Sequence, residues 1–234
     1  MEHDIMKISR HQLYSIIVKS LGILSGLIGL CLSFFGINSY IDPSRLLLFF
    51  TIQSNIWILV IMAIFLVYAV FEVRRGPPKI PHALRVIKYV FTIAITLTFI
   101  VFALLLSPWM PLSYLVSPSN ICIHFLAPLM AMIDFLFFDQ PLQTKKTTFL
   151  WGTTTPLYYL AFAMICSFSG VAFYPNGTTV PYFFLNYETL GWFRIGPTGI
   201  GVVYWFIFLC GMVLFISWGS LKIQAKIHKP KIRL

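Results

Sequence analysis

The chain has 234 residues, 59% of them hydrophobic and only 10% charged, with a mean hydropathy of +0.86. Soluble domains carry about 25% charged residues, so a secreted enzyme, a disordered chain and a nucleic-acid-binding domain are excluded. Lys and Arg (17) outnumber Asp and Glu (7), but they fall between apolar runs, where they carry topological information rather than a signal for polyanion partners.

A membrane-crossing helix needs about 20 mostly apolar residues. Six runs qualify: 15–37, 46–71, 86–106, 121–138, 148–171 and 200–221. They leave only short loops and tails. The expected fold is therefore all-α, a polytopic bundle of six transmembrane helices forming one domain over residues 1–234. The first run is longer than the roughly 7–15 apolar residues of a signal peptide, and no small-x-small site follows it, so it reads as a retained span.

Orientation follows from the cations. With the N-terminus inside, Lys7, Arg10 and Lys19, then Arg74, Arg75, Lys79, Arg85 and Lys88, then Lys145 and Lys146, then Lys222, Lys226, Lys229, Lys231 and Arg233 share one side, which makes 15 of the 17. Only Arg45 and Arg194 fall on the other side. Lys and Arg concentrate on the cytoplasmic side of membrane proteins, so both termini are expected to be cytoplasmic and the number of spans even.

The second run contains Thr51-Ile-Gln53-Ser54-Asn55. Thr51, Ser54 and Asn55 are spaced i, i+3, i+4 and share a helix face. Thr51 lies six residues past Arg45, or ~9 Å along a helix, in the outer part of the bilayer. Such a stripe serves helix–helix hydrogen bonding or a site.

The fourth run reads Ile121-Cys-Ile-His124-Phe-Leu-Ala-Pro128 and continues to Asp134. His124 enters from the same outer side as Thr51, so the two can sit at similar depth. An intramembrane histidine is a functional candidate; a neutral ring bonded to a carbonyl is the structural alternative. Asp134 lies ~15 Å deeper and is rotated by roughly 280° on a straight helix. It reads as a paired or protonated residue near the cytoplasmic end, or as a proton-path carboxylate.

In the fifth run, Thr153-Thr-Thr-Pro156 permits a break, and Tyr158 or Tyr159 can aim a hydroxyl inward. The connection 172–199 holds Tyr174, Tyr182, Phe183, Phe184, Tyr187, Trp192 and Phe193. It reads either as an interfacial cap or as an ordinary aromatic belt. Asn176-Gly177-Thr178 matches a glycosylation acceptor on the outer side. Cys31, Cys122, Cys166 and Cys210 all fall inside runs without metal or CxxC spacing, so they read as small buried hydrophobes, with Cys122 a lesser thiol-nucleophile option beside His124. No GxSxG, HExxH or phosphate-cradling glycine loop occurs; no cofactor, metal or nucleic-acid partner is expected.

Three segments carry a family resemblance: Phe50-Thr51-Ile-Gln53-Ser54-Asn55, His124-Phe-Leu-Ala-Pro128 running on to Asp134 and Asp139, and Pro181-Tyr182-Phe183-Phe184-Leu185-Asn186. On these the chain resembles the androgen-induced family of multi-pass membrane hydrolases, and more closely its bacterial six-span relatives. The resemblance implies hydrolysis of fatty acid esters of hydroxy fatty acids, with an intramembrane threonine nucleophile and a histidine base at Thr51 and His124. It also implies a bacterial cytoplasmic membrane and a lipid or acyl-ester substrate.

Ser54 and Asn55 are then candidate oxyanion donors or positioning residues. Asp134, Tyr158, Asn186 and Glu188 form a possible secondary polar set. Glu188 and Asp42 are the outer-loop carboxylates left to orient His124. A small proton-coupled carrier, a lipid-binding protein and an acyltransferase using the same site are the alternatives.

Overall fold

The computed structural model describes residues 8–37, 41–142, 145–197 and 199–229. Lys7, Lys231 and Arg233, counted above as inner-side charges, lie outside the described residues. Six helices are long and apolar enough to cross a membrane: Arg10–Phe34, Phe50–Arg75, His82–Trp109, Pro118–Phe138, Thr148–Phe168 and Val202–Ile227. They are the first to sixth spans below. The chain is an all-α polytopic membrane bundle.

Local sequence sets the ends of these helices. The first span starts with a capping box, in which Ser9 accepts from the Gln12 N–H and the Gln12 side chain returns a bond to Ser9. The second span stops at Gly76, whose φ of +81° few other residues adopt. The fourth begins with Ser117 capping and Pro118 in the first turn, where a missing N–H costs nothing.

Prolines also shape the helix interiors. Proline removes a helix N–H and crowds the carbonyl four residues earlier. The third span widens into a π turn over Phe102–Leu106 just before Pro108, and the fourth does so over Cys122–Leu126 just before Pro128. A further π turn, Asp134–Phe138, ends the fourth span. Such widened turns re-aim side chains and are frequent at functional sites.

Packing follows membrane rules, in which small residues let backbones approach. On the first span, a Cβ added at Gly26 would collide with Leu59 of the second span. One added at Gly29 would meet Cys122 and Ile123 of the fourth. Gly152 of the fifth span is pressed against Ser217 of the sixth. The Ser217 hydroxyl in turn joins the Tyr89 hydroxyl and the Phe149 carbonyl, tying the third, fifth and sixth spans together. Large apolar side chains such as Leu24, Val60, Leu104, Ile165 and Phe215 face outward, where lipid takes the place of water.

The connection between the fifth and sixth spans divides into two parts. Phe173, Phe184, Leu185 and Leu190 are buried in the main apolar core, as a cap requires. Trp192, Phe193 and Ile195 stay exposed, as a belt requires, and Ile195–Gly196 pairs with Gly199–Ile200 in a small antiparallel ribbon. The cap is fastened by Arg45, whose Nη1 donates to the carbonyls of Ala172 (2.6 Å) and Tyr174 (2.9 Å). The Tyr174 hydroxyl closes the loop on itself by donating to the Pro181 carbonyl at 2.8 Å.

Candidate active site beneath the cap

Thr51 occupies the first turn of the second span, and His124 the π turn of the fourth. Both line one cavity of about 430 Å³, closed over by Tyr174, Pro181, Tyr182 and Phe183 of the cap. The remaining wall is mostly apolar, including Leu46, Phe49, Ile52, Phe102 and Ile123, with Ser33, Tyr114 and Ser119 among the polar residues. A second, smaller apolar cavity of about 100 Å³ lies among the third, fifth and sixth spans. Thr51, Phe102, Leu106 and Tyr182 belong to the walls of both. Thr51 therefore stands where the two spaces meet.

His124 is 4% exposed. Its ring stacks on Phe102 with centroids 3.7 Å apart and planes 22° from parallel. The two proline-linked π turns thus present their rings to each other. Nδ1 of His124 is buried with no hydrogen-bond partner among the described residues; the Asn120 carbonyl, one turn earlier, interacts with the ring without reaching that geometry. A buried, unbonded imidazole nitrogen costs stability, so its retention beside a cavity is informative.

Thr51 is held from both sides. Its carbonyl accepts from Ser54 Oγ (3.1 Å) and Asn55 Nδ2 (2.8 Å). Its side chain faces the Tyr182 hydroxyl, which also faces Tyr159, each close enough for electrostatic interaction. Tyr159 donates to the Leu48 carbonyl at 3.0 Å. Burial pushes the Tyr182 phenol above its ordinary value, so it stays protonated across the physiological range.

Several expected roles are not met. Ser54 turns to the third span and bonds Thr98 Oγ1 at 2.8 Å. Asn55 gives its amide protons to the Thr51 carbonyl and to the Ile123 carbonyl at 3.0 Å. Neither residue lines the cavity, and with their donors committed to helix contacts neither supplies an oxyanion donor. Both position: Asn55 bridges the helix of Thr51 to the residue before His124.

The secondary set disperses as well. Tyr158 is 51% exposed and points outward, whereas Tyr159 is buried; of the two tyrosines, the second is the inward one. Asn186 caps a short helix by accepting from the Thr189 N–H. Glu188 is exposed. Asp42 binds the Ser44 N–H and hydroxyl, which lowers its carboxyl pKa, and so caps its own turn. No carboxylate among the described residues lines the cavity with His124.

Asp134 belongs to a separate cluster at the other end of the fourth span. Lys19 of the first span reaches Asp134 Oδ1 at 2.5 Å, and Lys88 of the third reaches Oδ2 at 2.5 Å. Lys88 also pairs with Asp139 at 2.6 Å and lies over the Phe65 ring at 4.2 Å. The i→i+5 geometry of the π turn brings Asp134 and Asp139 onto one face. All four charged residues are buried. Lys19 and Lys88 were counted among the inner-side charges; in the structure they are interior partners of the two carboxylates. Ser15, one turn before Lys19 and bonded to it at 2.8 Å, was the sequence signal for an inward-facing lysine. The small space beside this cluster, about 50 Å³, shares no lining residue with the cavity at His124.

Compared with protein families, curated proteins and solved structures, the chain matches none.

Proposed function

We propose that the protein is an intramembrane hydrolase of lipid-like acyl esters, working through an acyl-threonine intermediate on Thr51 with His124 as base. The observation that carries this reading is the shared cavity: Thr51 and His124 line one mainly apolar chamber under an aromatic cap. Threonine is a weak nucleophile until a base takes its proton, and a neutral imidazole suits that task near pH 7. Apolar walls with few polar groups suit acyl chains. Two cavities meeting at Thr51 suit an ester whose two arms diverge from the reacting carbonyl, such as the fatty acid esters of hydroxy fatty acids that the family resemblance implies.

In this reading Thr51 Oγ attacks the carbonyl carbon while its proton passes to His124. The tetrahedral adduct expels the alcohol, which takes that proton back. Water, deprotonated by His124, then attacks the acyl-threonine; the adduct expels Thr51 Oγ, which takes that proton back from His124 as the acid is released. The cation bias favours an outer-leaflet position for the cavity, and the family resemblance favours a bacterial cytoplasmic membrane. A carrier is the weaker reading, because the cavity at His124 and the space beside Lys19 and Lys88 share no lining residue.

The test is hydrolysis of a fatty acid ester of a hydroxy fatty acid by the purified protein in detergent, with both acids quantified. Loss of turnover in Thr51→Ala and in His124→Ala is expected, with unfolding temperatures close to wild type. Full turnover in either variant would overturn that residue's role. Product appearing only when an acceptor lipid is added would make the protein an acyltransferase.

A further inference from the structure

Hydrolysis at Thr51 needs a donor for the oxyanion, and the sequence-based candidates Ser54 and Asn55 spend theirs on helix contacts. We propose that Tyr182 is the third catalytic residue, its hydroxyl donating to the oxyanion that forms when Thr51 attacks. This rests on the Thr51–His124 reading above. Tyr182 comes from the cap, lines both cavities and faces the reacting Thr51 side chain.

Counting protons sharpens the assignment. Each phenol has one proton to give. The Tyr159 proton goes to the Leu48 carbonyl, whereas no hydrogen bond among the described residues takes the proton of Tyr182, whose hydroxyl faces Thr51 and Tyr159.

When substrate enters, the Thr51 proton turns to His124 and is transferred. The bond from Oγ to the carbonyl carbon forms, and the carbonyl π pair moves to its oxygen. Tyr182 turns its O–H to that oxygen, a change of one torsion. On collapse the pair returns, the alcohol leaves with the proton from His124, and the Tyr182 hydroxyl is released. The phenol keeps its proton throughout.

The placement on the cap has a consequence. The donor belongs to the cap that Arg45 fastens, so the cap completes the site.

The experiment measures kcat and KM for Tyr182→Phe beside Tyr174→Phe, which removes a bond within the cap and leaves Thr51 untouched. For Tyr182→Phe, kcat is expected to fall by about 10²–10³-fold, the usual effect of removing one oxyanion donor, with KM near wild type. Tyr174→Phe should act on KM and thermal stability instead. Should Tyr182→Phe fail to fold, 3-fluorotyrosine incorporated at position 182, a more acidic phenol, should move the alkaline limb of kcat to lower pH. Wild-type kcat in Tyr182→Phe, an unmoved alkaline limb, or a loss confined to KM and stability as in Tyr174→Phe would overturn the proposal. If Thr51→Ala retained full turnover, the hydrolase reading itself would fall, a result separable from these.

Discussion

The two buried polar clusters of this bundle differ in ion pairing and in the space beside them. At one end of the fourth span, Lys19, Lys88, Asp134 and Asp139 pair at 2.5–2.6 Å around almost no free space. At the other, His124 keeps an unpaired nitrogen beside a cavity of about 430 Å³. Polar groups are costly in a membrane interior wherever they sit. An ion-paired cluster repays that cost in helix association, whereas a polar residue lining a cavity remains available to a ligand. The first cluster is a structural fastener by this criterion, and the second is the candidate site.

The comparison breaks most directly at the second cluster. His124→Ala is expected to lower turnover by about 10²–10⁴-fold, the usual contribution of a general base, with little change in unfolding temperature. A large thermal shift with modest kinetic loss would make His124 a packing residue. At the first cluster the pattern should invert. Lys88→Ala leaves Asp134 and Asp139 short of a cation, a loss of about 3–5 kcal/mol visible in thermal unfolding in detergent. The double variant Lys88→Met, Asp134→Leu keeps charge balance through Lys19 and Asp139, and should recover part of that loss.

Smaller effects sharpen the contrast. Gly29→Val forces a side chain into Cys122 and Ile123, one residue from His124. Overpacking of this kind costs about 1–3 kcal/mol and should depress turnover by displacing the ring. Gly219, where an added Cβ meets nothing, is its neutral control. Arg45→Met should loosen the cap, raising KM and the rate of proteolysis near residues 172–174. Tyr158→Phe, on the outward face, should change stability by less than about 0.5 kcal/mol and leave kinetics alone.

The spans were legible because an apolar run of about 20 residues has few other fates. Side-chain direction was not. Counting Lys and Arg near span ends ignores which way each points, and so the count registers Lys19 and Lys88 only as inner-side charges, although three helices converge on Asp134. Pro128 announced a disturbance near His124, but a π turn facing a second π turn at Phe102 is a tertiary arrangement. Ser54 and Asn55 share the Thr51 side of an ideal helix; their partners Thr98 and Ile123 lie far off in sequence and could not be read from spacing. Tyr182 was visible only as one aromatic among many, because its meaning lies in where its hydroxyl ends.

The central claim is that Thr51 forms a covalent adduct, and mapping such an adduct tests it most directly. Purified protein would be treated with a lipophilic fluorophosphonate, digested and examined by mass spectrometry. The account predicts one modified peptide, with the phosphonyl group on Thr51, absent in Thr51→Ala and formed much more slowly in His124→Ala. Modification that persists in Thr51→Ala, or that maps to Cys122 or another residue, would contradict it.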